Sequence, residues 1–88
     1  MVRNNQFIKR KIGTQYVIVA TGDATKRFNG MITVNTTGSF IWDCLVAPTE
    51  FDGLGEKITA EYDVDAETAK KDAAAFLDTL KEVGAIGD

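Results

Sequence analysis

Eighty-eight residues with a net charge of −3 make one domain with a modest core. At 44% hydrophobic, 26% charged and a single proline, the composition is that of a folded globular protein and excludes disorder over most of the length. The lack of histidine excludes a Ser-His-Asp triad, a Cys-His pair and every histidine-ligated metal site, and the lone Cys44 excludes an internal disulfide.

Residues 1–6 are polar and are expected as a flexible N-terminal tail, with residues 7–88 forming a single domain. Phe7 to Ile12 reads as a strand with Ile8 and Ile12 on one face, and Gly13-Thr14 as a hairpin turn. Gln15 to Ala20 contains the apolar run Tyr16-Val17-Ile18-Val19, which suits a strand covered on both sides. Thr21 to Arg27 reads as a polar loop. A third strand is expected from about Phe28 or Gly30 to Val34, with Met31, Ile32, Thr33 and Val34 apolar or β-branched throughout.

The second half reads as helical. Asn35 or Thr36 can cap a first helix from about Thr36 to Leu45, which must stop ahead of Pro48. Thr49 is expected to cap a second helix, in which Phe51, Leu54, Ile58 and Tyr62 share one face. Asp65 is expected to cap a third, with Ala66, Ala69, Ala73, Phe76, Leu77, Leu80 and Val83 as its apolar stripe and Gly84 as its left-handed stop. Ala85-Ile86 would fold back on its end. The fold class is therefore α+β, a three-stranded antiparallel sheet followed by three helices in a winged-helix-like arrangement. No apolar run suits a membrane span or a signal segment, so a cytoplasmic protein is expected, with no membrane partner.

Charge is unevenly spread. Residues 1–27 hold six cations against one acid, and residues 28–88 hold four lysines against twelve acids. The basic half, through Lys9, Arg10, Lys11, Lys26 and Arg27, would steer an acidic ligand toward the sheet; the same pattern also fits two ordinary solvated surfaces. Gly53-Leu54-Gly55 lacks the lysine of a phosphate loop. Asp63, Asp65 and Glu67 alternate like the start of a calcium loop but lack its glycine and distal glutamate, and helix capping explains them better. No catalytic constellation is present, so a non-catalytic binding protein without cofactor or metal is expected. Cys44, between Trp42 and Leu45, reads as a buried thiol.

Three segments carry a family pattern. Gly30-Met31-Ile32-Thr33-Val34-Asn35-Thr36-Thr37-Gly38-Ser39-Phe40-Ile41-Trp42-Asp43-Cys44-Leu45 resembles a strand ending in Leu-Asn, followed by Glu-Thr-Gly, an aliphatic pair and Trp-x-x-Leu. Glu61-Tyr62-Asp63-Val64-Asp65 resembles a second signature. Asp72, Phe76-Leu77, Leu80 and Val83-Gly84-Ala85-Ile86 resemble a third. Together they are similar to the PqqD-like family of peptide-recognition proteins, also called RiPP recognition elements, over roughly residues 7–86. Val34 stands where that family usually has leucine, and Thr36 where it has glutamate.

The resemblance implies a chaperone for a precursor peptide. Such proteins bind the leader segment of a ribosomally made precursor by strand addition and present it to a modifying enzyme, often a radical S-adenosylmethionine enzyme. Carried onto this chain, the peptide-binding residues would be Met31, Ile32, Thr33 and Val34 on the strand, with Asp72, Phe76, Thr79 and Val83 on one flank of the third helix. Lys70, Ala74 and Lys81 form the other flank. Phe76 also fits a plain core position, and Asp72 a solvated charge.

The alternative is a DNA-binding winged helix. The third helix weighs against it: Lys70, Lys71 and Lys81 face five acids, and the sequence pI is near 4.8, so phosphate affinity and a nucleic-acid partner are not expected. A third reading is a domain that docks only on its enzyme. The chain is expected as a monomer with weak dimerisation through the open third strand.

Overall fold

Residues 1–87 are described by a computed structural model; Asp88, the last residue of the expected domain, lies outside them. The described chain runs β1 (Val2–Arg3), β2 (Phe7–Ile12), β3 (Gln15–Ala20), a 3-10 turn (Gly22–Lys26), β4 (Met31–Val34), α1 (Thr36–Cys44), α2 (Phe51–Glu61), α3 (Ala66–Val83) and β5 (Ile86–Gly87). β2, β3 and β4 form an antiparallel sheet in that order, followed by three helices, which is the α+β architecture expected from the sequence.

The hairpin turns on Gly13 at φ +62, the positive φ that two-residue loops place on glycine. Register then fixes the faces. Ile8, Val19 and Met31 stand opposite one another across the three strands, on the side away from the helices. Phe7, Ile18 and Val34 turn the other way and enter the core with Trp42, Leu45, Leu54, Leu77 and Leu80.

The three helices close over that inner face. α1 starts at Asn35, whose side chain accepts from Gly38 N at 2.7 Å. α2 follows the proline break and buries Leu54 and Ile58. α3 is capped by Asp65, buries Ala69, Ala73, Leu77 and Leu80, and ends at Gly84 with φ +78. Gly55 lets α2 lie close to α3: a Cβ there would sit 3.3 Å from Lys70 Cγ of α3.

Four details depart from the sequence reading. Residues 1–6 are not a loose tail: Val2 pairs with Gly87 and Arg3 with Ile86, Arg3 N donates to Leu45 O at 2.9 Å, and Asn4 N to Ala85 O at 2.7 Å. These bonds satisfy backbone groups that the buried Ala85-Ile86 segment would otherwise leave unpaired. Thr49 does not cap α2; Glu50 holds the cap position, and the Thr49 hydroxyl lies against Cys44 O and Ala47 O, at 3.1 and 2.9 Å. The loop after β3 contains the 3-10 turn, pinned by buried Ala24. Cys44 is half-buried, not buried.

Candidate peptide-binding cleft

β4 is the last strand of its sheet, so its outer edge has no strand partner among the described residues. Backbone groups on such an edge are available for a further strand. Beside that edge runs a cleft of about 350 Å³, lined by Thr33 and Val34 of β4, by Asn35, Thr37 and Gly38 at the start of α1, and by Asp72, Ala75, Phe76 and Thr79 of α3.

Each wall follows from local structure. The β4 strand delivers buried Val34 and exposed Thr33 to the cleft mouth. The Asn35 cap turns the chain sharply into α1, which brings Gly38 against α3: a Cβ there would lie 3.5 Å from Phe76 Cε1 and 3.3 Å from Val34 Cβ. On α3, residues one step round from the buried stripe face β4. Phe76 is half-buried, lining the cleft while packing on the core. Thr79 Oγ1 donates back to Ala75 O at 3.3 Å. Asp72 is exposed and has no ion-pair partner among the described residues.

Of the eight residues carried over from the resemblance, the cleft brings together Thr33, Val34, Asp72, Phe76 and Thr79. Met31, Ile32 and Val83 lie outside its lining. Met31 is 60% exposed on the outer sheet face, while Ile32 and Val83 pack against the core. The opposite flank of α3 turns to α2 instead, where Lys70 Nζ lies 3.7 Å from Asp52. Sequence reading missed Asn35, Thr37, Gly38 and Ala75 as cleft residues, Asn35 standing there only as a helix cap. Gly38, a glycine one turn into a helix, was the available signal, because close approach is a reason to keep glycine there.

The basic residues are less free than their number implies. Lys9 Nζ donates to Asp43 Oδ1 and to Ser39 Oγ, both at 2.7 Å, with its side chain 18% exposed. The Arg27 guanidinium packs against Gly84, 3.6 Å from where a Cβ would stand. Arg3 lies over the Trp42 ring at 5.5 Å. Near Cys44, burial pushes the thiol pKa up, and Asp43 and Glu61 push the same way against the pull of Lys57. No group of three or more His, Cys, Asp or Glu side chains able to hold a metal occurs among the described residues.

The sequence matches the family of coenzyme PQQ synthesis protein D (PqqD) over residues 15–86. The chain belongs to the PqqD family. The matched span holds β3, β4, all three helices and thus every wall of the cleft. Among solved structures, TbiB1 in complex with the TbiA(beta) leader peptide shares the fold at 22% identity and a TM-score of 0.75, with all of both chains covered. No curated protein matches the chain in sequence. No helix among the described residues is long and apolar enough to cross a membrane.

Proposed function

We propose that this PqqD-family protein binds the leader segment of a ribosomally made precursor peptide as an added strand on β4 and presents it to a modifying enzyme. The observation that carries the reading is the juxtaposition of an unpaired strand edge with a cleft whose far wall is Phe76. Strand addition draws affinity from main-chain hydrogen bonds and selectivity from pockets for alternate side chains, and this site offers both. Support comes also from a solved structure of the same fold, which was captured with a leader peptide.

A radical S-adenosylmethionine enzyme is the partner class that the family resemblance favours. The protein itself acts as a non-catalytic accessory in the cytoplasm, a monomer that dimerises weakly when its edge strand is empty.

Titration of the isotope-labelled protein with each short peptide encoded near its gene tests the reading. Chemical shifts should move at Thr33, Val34, Phe76 and Thr79. Alternate β4 amides should also become protected from hydrogen exchange, as pairing of one strand edge requires. Failure to bind any such peptide, together with tight binding to duplex DNA, would favour the winged-helix regulator instead.

A further inference from the structure

The sheet has a second free edge. β2 is the terminal strand opposite β4, so its outer side also lacks a strand partner among the described residues. Gln6 O accepts from Thr21 N across the hairpin at 2.6 Å, whereas Phe7 N donates to Asn4 O at 3.0 Å. Phe7 is thus a residue whose main chain faces away from β3. Alternation along an antiparallel ladder then turns the N–H and C=O of Lys9 and Lys11 outward as well. Beside this edge lies a cleft of about 370 Å³, with Arg3, Asn5, Lys9, Trp42 and Asp43 among its walls.

The β2 edge is basic where β4 carries no charge. Lys9, Arg10 and Lys11 follow one another on β2, and Arg10 and Lys11 are exposed. In the cleft, Lys9 and Asp43 neutralise each other at 2.7 Å. Arg3 is left as the uncompensated charge. Its guanidinium lies over the Trp42 ring at 5.5 Å and donates once, from Nη1 to Trp42 O at 3.3 Å. Its other donors meet no acceptor among the described residues. A guanidinium held flat in this way presents a fork that fits a carboxylate.

Like charges weigh against a second copy as the occupant, because β2 paired antiparallel with itself would set lysine and arginine against lysine and arginine. We infer that the β2 edge is a second docking site, which takes an extended acidic segment of a partner protein as an added strand with one of its carboxylates on Arg3. On the accessory reading above, that partner is the modifying enzyme, and the protein bridges two chains through the two edges of one sheet. Only the partner's identity rests on that reading; the site itself is separate from the β4 cleft.

The probe is the end-blocked peptide Val-Glu-Thr-Glu-Val-Glu, titrated to millimolar concentration into the isotope-labelled full chain, beside its counterpart Val-Lys-Thr-Lys-Val-Lys. The acidic peptide should move the Lys9 and Lys11 amides and the Trp42 signals, less so as salt is added, and the lysine peptide should not. Arg3→Gln keeps the β1 main chain and should bind the acidic peptide about fivefold more weakly, with a thermal melt to verify its fold. Lys11→Glu, exposed on β2, should weaken binding too. The inference is overturned if the acidic peptide moves nothing, or moves Thr33 and Val34 in place of β2. It is equally overturned if the lysine peptide acts alike, or if either variant binds as the wild type does. None of these outcomes bears on leader binding, which is read at β4 with the leader itself.

Discussion

Gly38 and Phe76 meet across the α1–α3 contact: a Cβ at Gly38 would stand in van der Waals contact with Phe76 Cε1, at 3.5 Å, and more tightly, at 3.3 Å, against both Val34 Cβ and Asn35 Oδ1. The first turn of α1 therefore packs directly beside the aromatic wall of the cleft.

Gly38→Ala is expected to separate binding from stability. Alanine favours a helix by about 0.5–1 kcal/mol over glycine. The crowding against Val34 and Asn35 offsets that gain, so the melting temperature should change little. Leader affinity should fall severalfold, because Val34 and the Asn35 side chain at the cleft must give way by a few tenths of an ångström. Paired calorimetry and thermal melts check this, and unchanged affinity would show that the crowding at Val34 and Asn35 does not reach the cleft.

Asn35→Ala removes the acceptor for Gly38 N and should cost about 1 kcal/mol of stability. Asn35→Asp keeps an acceptor and should lose much less. Urea unfolding of the three proteins distinguishes a capping role from a merely polar one.

Lys9→Met keeps the aliphatic stem while deleting the ammonium that bridges Asp43 and Ser39. Ser39 is only 8% exposed, so its hydroxyl loses a charged partner in a nearly dry setting. A loss of about 1–2 kcal/mol is expected by denaturant titration. A neutral result would mean that water replaces the lysine there.

Asp65 makes the pH dependence specific. Hydrogen bonds from the backbone and then the hydroxyl of Thr68 hold its carboxyl below the ordinary value of 3.8. A carboxyl depressed in the folded state stabilises above its unfolded pKa, and that stabilisation is lost as pH falls through the folded one. Asp65→Asn retains an acceptor that does not titrate. The melting-temperature advantage of the wild type over Asp65→Asn should thus be present at neutral pH and vanish in strong acid.

Cys44 should alkylate more slowly at neutral pH than a free thiol, since burial raises its pKa and so keeps it protonated. Iodoacetamide kinetics before and after unfolding measure the difference. Equal rates would place the thiol in open solvent.

What the sequence revealed was local. Gly13, Asn35, Asp65 and Gly84 act within a turn of themselves, and each occupies the predicted role. The α3 stripe was legible because an 18-residue helix repeats its pattern often enough to show. The pairing of Val2–Arg3 with Ile86–Gly87 was not, because two-residue strands carry no periodicity and their partners lie at opposite ends of the chain. Thr49 misled because a threonine before a helix is as able to bond backward as forward; Cys44 O and Ala47 O, left open at the proline break, lie near its hydroxyl. The family pattern named Thr33, Val34, Asp72, Phe76 and Thr79 of the cleft lining but also Met31, Ile32 and Val83 outside it, whereas the α1 side depends on helix–helix approach. Lys9 looked like a free surface charge because only the folded structure brings Asp43 and Ser39 to it.

The β1–β5 ladder has one more consequence. Val2 and Gly87 are neighbours across a ladder, so the fold enters and leaves at a single point on its surface. A host protein could carry it in a surface loop through two short connectors, with no rearrangement of either partner. The same adjacency permits circular permutation: a brief bridge between the ends and a cut at the Gly13 hairpin would yield a chain of new order and the old shape.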